Sequence, residues 1–276
     1  MSFAFPLPGV LSVRAPKVRH PRDPRCLRMA TSRLAKIAGG TVVYAAGVGI
    51  AYEYSRPQPP LPECRCRMCT FDKLAPGYDT EIERDEKTSG ILDLRRELAA
   101  HARGRVLEVA GGTGRNLAFY SREAVGELVL ADASEAMLQV AARKVAELRT
   151  DSAPAAVSNV TLAITDAAAL PLATNSFDTV VDTFGLCSFE NPKTALREMQ
   201  RCAKPGGQVL LLEHGVSNWS LLSWWQQHRL ARHVVKWGCY WNRNIMGMVH
   251  ESGLVVKEVK RLHMGTTYFI ICENPG

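Results

Sequence analysis

A glycine-rich segment between two apolar runs holds the residues best suited to bind a nucleotide-like cofactor. The first run, Val106–Val109, leads into the turn AGGTG at 110–114, and the second run ends in Asp132. Glycine has no Cβ and accepts positive φ, so such a turn lets the backbone approach a ligand closely. A carboxylate about 20 residues further on is placed to accept hydrogen bonds from a ribose diol. The pattern therefore predicts a site for a ribose-containing cofactor.

The spacing of the small residues distinguishes between cofactor classes. A dinucleotide fingerprint has the form G-x-G-x-x-G, whereas here Glu108, Ala110, Gly112 and Gly114 occupy every second position. The Glu108 carboxylate would repel a pyrophosphate and attract the sulfonium and ammonium groups of S-adenosylmethionine. We therefore predict S-adenosylmethionine as the cofactor, with Glu108 and the backbone of the glycine loop around its methionine part. Asp132 would accept hydrogen bonds from its ribose, and no metal site is predicted.

Further motifs follow in register and resemble those of the class I S-adenosylmethionine-dependent methyltransferases. The likeness covers roughly Phe71 to Cys272 and is greatest for the ubiquinone and menaquinone C-methyltransferase type. One departure is Ala110, which stands where that family usually has its first glycine. The motifs are FDKLAPGYD at 71–79, the glycine loop, DASEAML at 132–138, Asp166-Ala167 with Leu170-Pro171 and SFD at 176–178, LRE at 196–198 and KPGG at 204–207.

The resemblance also implies roles for individual residues. Asp166 would accept the adenine amino hydrogens, the Ala167 amide would donate to a ring nitrogen, and Tyr78 would close over the donor. A buried helix-start role for Tyr78 is an equal alternative. Met137 or Leu138 would cover the adenine face unless it belongs to a helix core.

Shorter motifs in the second half are similar to those of membrane-anchored thiol methyltransferases and related mitochondrial inner-membrane proteins. We interpret His214 as a candidate general base for the acceptor, with a structural histidine as the alternative. Cys187 is either close to the cofactor edge or a buried packing residue. The aromatic and basic stretch Trp219–Trp241 is interpreted as a substrate lid or as a pair of core helices. The motifs are LCS at 186–188, EH at 213–214, WQQ at 225–227 and GC at 238–239.

Apolar runs that alternate with helical periodicity position these motifs. Such alternation predicts an α/β fold, a Rossmann-like doubly wound sheet of seven strands, with the ligand beyond the carboxyl ends of the strands. The predicted strands are 105–110, a second ending at 132, 160–165, 177–183, 208–213, 255–260 and 267–272. The predicted helices are 91–104, 116–123, 134–148 and 194–202.

The first 70 residues differ in composition from the rest. Residues 1–36 carry eight Lys or Arg and one acid, which equals the formal net charge of +7 for the whole chain. A basic, acid-poor leader is typical of a mitochondrial transit peptide, although its prolines also fit a disordered tail. The remaining residues are formally neutral, which disfavours nucleic acid as a partner.

An uncharged stretch, Ile37–Tyr52, follows the leader. Its 16 residues reach about 24 Å as a helix, short of the roughly 30 Å hydrocarbon core, but flanking residues can extend it. We predict a single transmembrane helix at 37–54, with a buried N-terminal helix as the alternative. A Pro/Cys-rich linker at 55–70 and a methyltransferase domain at 71–276 complete the predicted organisation.

The linker contains Cys64, Cys66 and Cys69. Three cysteines at this spacing are consistent with a zinc site, a disulfide or inert reduced thiols, and the sequence leaves all three open.

Together these features predict a membrane-anchored methyltransferase for a small apolar acceptor, a thiol or a quinone precursor. The mitochondrial inner membrane is the predicted location, with the endoplasmic reticulum as the alternative. Two other functions are an assembly factor with vestigial activity and an RNA or protein methyltransferase.

Overall fold

A computed structural model of the chain describes residues 48–49, 52, 55–61, 64–148, 157 and 159–276. The leader 1–36 and nearly all of the predicted span 37–54 lie outside the described residues. Among the residues that are described, no helix combines the length and the apolar character needed to cross a bilayer. The helices and strands considered below belong to one compact unit, Gln58–Gly276.

The unit is built on a seven-stranded sheet with the strand order β3-β2-β1-β4-β5-β7-β6. Strands β1 to β5 are parallel, and β7 runs antiparallel to both β5 and β6. This arrangement confirms the predicted seven-stranded α/β sheet. The strands are β1 Gly104–Val109, β2 Val125–Asp132, β3 Val160–Ile164, β4 Phe177–Thr183, β5 Ala203–His214, β6 Val255–Leu262 and β7 Thr267–Glu273.

Helices pack against both faces of the sheet because the central strands are apolar on both sides. Leu107 and Val109 of β1 belong to one buried cluster, whereas Val106 belongs to the cluster on the other face. Parallel strands buried in this way require helical cover on each side. The helices are α1 Cys64–Leu74, α2 Tyr78–Ser89, α3 Ile91–Ala100, α4 Glu135–Leu148, α5 Pro192–Cys202, α6 Ser220–Trp237 and α7 Ile245–Ser252.

The helix predicted at 116–123 is wrong. The segment forms successive turns, with i to i−3 hydrogen bonds such as Phe119 N–H to the Asn116 carbonyl at 2.8 Å. The side chains of Asn116 and Tyr120 both donate to the buried carboxylate of Glu108, at 2.8 and 2.9 Å. Satisfying that buried acid overrides local helix propensity.

Two other boundaries differ from the prediction. Strand β5 begins at Ala203, because Ala203 pairs with Phe177 before the register shifts to Gln208 opposite Thr179. The KPGG segment is therefore a bulge within the strand. Helix α1 occupies part of the segment predicted as a linker, since Met68 and Phe71 cover a cavity of the domain. The side chains of Cys64 and Cys66 lie outside the described set, and Cys69 is an exposed free thiol.

Candidate active site

A cavity of about 340 Å³ lies beyond the carboxyl ends of β1, β2 and β4. This volume falls within the range of small-molecule sites, roughly 300 to 1,000 Å³. The sequence-predicted residues Tyr78, Ala110, Gly112, Asp132, Asp166 and Ala167 all line it. Glu108, Gly114 and His214 do not.

The glycine loop follows β1 and curves beneath the cavity. Gly112 and Gly114 have φ of 56° and 74°, a region that residues with a Cβ rarely adopt. A Cβ on Gly114 would lie 2.4 Å from the Leu117 side chain, so this position is closed on the protein side. A Cβ on Gly112 would have no atom closer than 3.9 Å. Gly114 thus supports the loop from behind, while Gly112 leaves backbone open to the cavity.

Asp132 ends β2 and lines the cavity next to the glycine loop. Its Oδ2 accepts a hydrogen bond from the Gly112 N–H at 2.9 Å, and its Oδ1 accepts one from the Ser134 N–H at 2.8 Å. Burial raises the pKa of the Asp132 carboxyl, and these backbone donors partly offset the effect. Each carboxylate oxygen has about two lone pairs, so each retains one for a ribose hydroxyl. The residues present therefore fit the sugar of S-adenosylmethionine.

Asp166 and Ala167 follow β3 and form a neighbouring part of the wall. The Asp166 Oδ1 accepts a hydrogen bond from the Ala168 N–H at 2.9 Å, which holds the carboxylate in a tight turn. The backbone N–H of Thr165 donates to the Asp132 carbonyl at 2.9 Å. This bond joins the two acidic positions, so the ribose and adenine contacts implied by the sequence meet in one cavity.

Glu108 is buried behind the glycine loop. Both of its oxygens accept hydrogen bonds, from Asn116 and Tyr120, and burial raises its pKa to about 7. An acid in this state lies near the midpoint of its titration at neutral pH. A cationic ligand above the loop would favour the ionised form.

Helix α2 closes one side of the cavity and begins with Tyr78. Burial raises the pKa of this phenol to about 12, so it is neutral at physiological pH. The next residue, Asp79, accepts a hydrogen bond from the Thr113 hydroxyl at 2.6 Å and pairs with Lys144. Arg115 of the glycine loop contacts Glu83 and Glu86 of α2, both at 2.8 Å. Charged contacts therefore attach α2 to the loop.

Arg95 of α3 lies at the centre of a buried polar network that sequence reasoning missed. Its guanidinium donates to Glu86 at 2.8 Å, to Asn116 at 3.1 Å and to Thr183 at 2.9 Å. It also lies 5.0 Å from the ring centre of Phe184, a cation–π contact. Arg95 lines the cavity and connects α2, the loop after β1 and the end of β4. An arginine in an amphipathic helix gives no sequence signal for such a role.

The residues predicted on the acceptor side gather beside the cavity. His214 at the end of β5 stacks on Phe184, with ring centres 4.3 Å apart, and Phe184 lines the cavity. The His214 Nδ1 lies 3.7 Å from the Sγ of Cys239, and Cys187 joins the same group. Burial raises the pKa of the Cys187 thiol well above its ordinary value, and the nearby Cys239 adds to the effect. All three residues belong to motifs noted in the sequence, but those motifs did not predict that Cys239 lies beside His214.

Glu213 is not the partner of His214. Its carboxylate faces the opposite side of β5, where it accepts the Cys187 backbone N–H at 3.1 Å and lies against Asp182 of β4. Burial and mutual repulsion raise the pKa of both acids, that of Asp182 to about 7. Two buried carboxyls this close share a proton, because both cannot ionise together.

Comparison with known proteins gives the fold and the motifs a family. Residues 107–211 match the family model described as a methyltransferase domain. This range contains the glycine loop, Asp132, Asp166 and strands β2 to β4. The matched segment is therefore of the methyltransferase-domain type. The cofactor of such domains is S-adenosylmethionine, which agrees with the geometry of the cavity.

Two curated relatives extend beyond the matched range. The mitochondrial methyltransferase OMS1 of Saccharomyces cerevisiae is 32% identical over 215 residues, which cover 75% of this chain and 46% of that protein. The ubiquinone/menaquinone biosynthesis C-methyltransferase UbiE of Idiomarina loihiensis is 37% identical over 150 residues, 52% of this chain and 57% of that protein. The chain thus spans about half the length of the curated relatives it matches.

Solved structures support the methyltransferase fold at lower identity. An S-adenosylmethionine-dependent methyltransferase from Thermotoga maritima has a TM-score of 0.55 at 18% identity, covering 74% of this chain and 98% of that one. The [4+2]-cyclase SpnF has a TM-score of 0.62 at 15% identity, covering 79% and 98%. The cyclase shows that this fold also hosts other chemistry, so the reaction must be argued from the site.

Proposed function

We propose that this chain is an S-adenosylmethionine-dependent methyltransferase for a small apolar acceptor, a thiol or a quinone precursor. One observation carries the proposal: a single cavity joins an open glycine loop, a carboxylate for the ribose and a polar turn for the adenine. Phe184 and Phe189 add aromatic side chains to the wall of the same cavity. The name of the UbiE relative supports a quinone-type acceptor.

The protein's own groups bind the donor, orient the acceptor and exclude water. S-adenosylmethionine, when bound, supplies a methyl group on a strongly electrophilic sulfonium. Asp132 would accept hydrogen bonds from the ribose hydroxyls, and Asp166 would accept them from the adenine amino group. The Ala167 amide would donate a hydrogen bond to a ring nitrogen of the adenine. Tyr78, held over the cavity at the start of α2, would shield the reacting atoms. Holding an acceptor in line supplies about 7 to 11 kcal/mol of the barrier in well-oriented reactions, so little further chemistry is needed.

His214 is the candidate residue for accepting the acceptor's proton. It stacks on the cavity wall and has an imidazole nitrogen directed at Cys239 rather than at an acid. A quinol or phenol acceptor needs such a base, whereas a thiol needs less assistance because its reference pKa is about 8.5.

We also propose that residues 37–54 anchor the enzyme in the mitochondrial inner membrane, with 1–36 as a transit peptide. The uncharged stretch Ile37–Tyr52 and the mitochondrial OMS1 relative support this placement. Helix α6 adds support, since it exposes large apolar side chains that suit a bilayer surface or an apolar acceptor. They include Leu221, Trp224 and Trp225, at 79%, 50% and 42% exposure.

Substitution of Asp132 tests the donor site. Two hydrogen bonds to a charged group contribute at least about 3 kcal/mol, so Asp132→Ala should weaken S-adenosylmethionine binding by about 100-fold or more. Calorimetry on the solubilised full chain measures the affinity, and a melting curve verifies the fold. Asp93→Ala is the matched control, because Asp93 is an exposed α3 residue that pairs with Arg96 on the surface. Equal affinities for the two variants would rule out the proposed site.

The acceptor is tested separately, with radiolabelled donor and organelle extract. Label in an organic-soluble product supports the proposal. Label retained in macromolecules selects RNA or protein methylation instead. Normal complementation of a gene deletion by Asp132→Ala would favour the assembly-factor role.

A further inference from the structure

Three soft ligand atoms converge beside the donor cavity. The Sγ of Cys187, the Sγ of Cys239 and a ring nitrogen of His214 all lie within 4.8 Å of one another. They come from three segments: the turn after β4, the end of β5 and the residue that follows the C-cap of α6. We propose that these residues form a zinc site, and that the metal presents an open coordination position to a thiol acceptor.

The distances between the three ligand atoms suit zinc. Zinc bonds of about 2.3 Å to sulfur and 2.0 Å to nitrogen, at tetrahedral angles, place S and N about 3.6 Å apart and two sulfurs about 3.8 Å apart. The observed distance between His214 Nδ1 and Cys239 Sγ is 3.7 Å. The largest distance between two of the three ligand atoms is at most 4.8 Å. Side-chain rotations that move these atoms by about 1 Å would bring it into that range. Two thiolates and an imidazole are a ligand set that selects zinc over harder cations.

The surrounding backbone holds the ligands in place. The Cys187 carbonyl accepts the Tyr240 N–H at 2.7 Å, which ties the Cys187 turn to the residue after Cys239. The Cys187 N–H donates to Glu213 at 3.1 Å. Arg243 donates to the carbonyl of Leu186. The three ligands therefore sit on segments joined to each other, as a preorganised site requires.

The group lies behind the cavity wall, and none of its three residues lines the cavity itself. The Cys187 Sγ lies 3.3 Å from the Phe184 carbonyl and 3.6 Å from the Ser188 hydroxyl, and both residues line the cavity. Tyr78, which also lines it, is close enough to interact electrostatically with both cysteines. Three protein ligands with a fourth position open are typical of catalytic rather than structural zinc.

The chemistry deepens the proposed function and rests on it. An acceptor thiol that binds the metal loses its proton to solvent and becomes a zinc-bound thiolate. A sulfur electron pair then forms the new S–CH₃ bond while the bond from the methyl carbon to the donor's sulfonium breaks. The products are a neutral thioether and S-adenosylhomocysteine, and the thioether is a weak ligand that leaves. The metal would replace His214 as the group that ionises the acceptor.

Cobalt spectroscopy tests the site without donor or acceptor. The full chain carries Cys64→Ser, Cys66→Ser and Cys69→Ser, so that the linker cannot supply thiolates. Titration with Co²⁺ should give a thiolate-to-cobalt charge-transfer band and tetrahedral d–d bands that saturate at one equivalent, and Zn²⁺ should displace them. Cys187→Ala and Cys239→Ala should abolish the charge-transfer band or reduce it by about half, as expected for the loss of one of two thiolate ligands. Cys202→Ala is the control, because it removes a buried thiol from α5 outside the group.

The Co²⁺ titration of the chain with Cys187 and Cys239 intact tests the metal site even if the alanine variants fail to fold. A folded protein with no charge-transfer band, or with Cys187 and Cys239 joined as a disulfide in peptide mapping, would overturn the metal site. If the metal binds but chelation leaves methylation of a thiol unchanged, its activating role is overturned. Failure of S-adenosylmethionine to bind the zinc-loaded protein would instead reject the proposed function and leave the metal site standing.

Discussion

The residues around the proposed donor come mainly from one stretch, 108–134. Strand β3 leads to Asp166 and Ala167, and helices α2 and α3 contribute Tyr78 and Arg95. Those near the proposed acceptor come from three separate places, around Cys187, His214 and Cys239. The donor half also has its charges paired. Both oxygens of Glu108 accept hydrogen bonds, and Arg95 donates to three side chains.

The acceptor half is less complete within the described residues. Asp182 Oδ1 and Glu213 Oε1 have no hydrogen-bond partner beyond each other, and α6 presents tryptophan side chains to solvent. The difference indicates that the protein's own contacts hold the proposed donor site in place. The acceptor side keeps exposed apolar side chains on α6 that an apolar ligand or a membrane surface would cover.

The largest effect is expected from Arg95→Gln, which breaks the donor half at its centre. The loss should be about 3 kcal/mol, because the hydrogen bonds to Glu86, Asn116 and Thr183 are lost while Glu86 keeps its ion pair with Arg115. Denaturant unfolding of the solubilised chain measures the loss.

The adjacent arginine provides a matched control. Arg96 makes an ion pair with Asp93 on an exposed surface, so Arg96→Gln should change the free energy of unfolding by less than about 1 kcal/mol. Equal losses for Arg95→Gln and Arg96→Gln would show that the network does not organise the donor half.

A smaller effect should appear in the pH dependence of donor binding. The pKa of Glu108 is about 7 without a ligand, so roughly half of the molecules carry a neutral acid at pH 7. A sulfonium favours the ionised acid and lowers this pKa, so binding releases a proton. Affinity should therefore rise up to about tenfold between roughly pH 6 and pH 8 and level off above.

S-adenosylhomocysteine provides the comparison, because it differs from the donor mainly by the absence of the sulfonium charge. Its affinity should change much less over the same range, and Glu108→Gln should remove the contrast. Calorimetry with both ligands measures it. Parallel pH profiles for the two ligands would show that Glu108 does not sense the sulfonium.

The difference between the donor and acceptor halves also explains which features could be predicted from the sequence. That Gly112 and Asp132 line one cavity was predictable, because glycine spacing and the acid at the end of β2 are local patterns with a direct physical meaning. Arg95, the position of Cys239 beside His214 and the Asp182–Glu213 pair were not, since they depend on contacts between residues distant along the chain. The failed helix at 116–123 has the same origin: Asn116 and Tyr120 serve the buried Glu108, a constraint that local propensity does not contain.

The smallest effect on stability is expected on α6, where Leu221 is 79% exposed. Leu221→Ser should change the free energy of unfolding by less than about 0.5 kcal/mol and leave donor affinity unchanged, because no buried contact is lost. If α6 meets the bilayer or an apolar acceptor, the rate with a vesicle-bound acceptor should still fall several-fold, while the rate with a short soluble thiol stays constant. Val259→Thr, an exposed position on edge strand β6, should alter neither rate. A Leu221 variant with unchanged rates for both acceptors would restrict the acceptor half to the cavity wall and remove α6 from it.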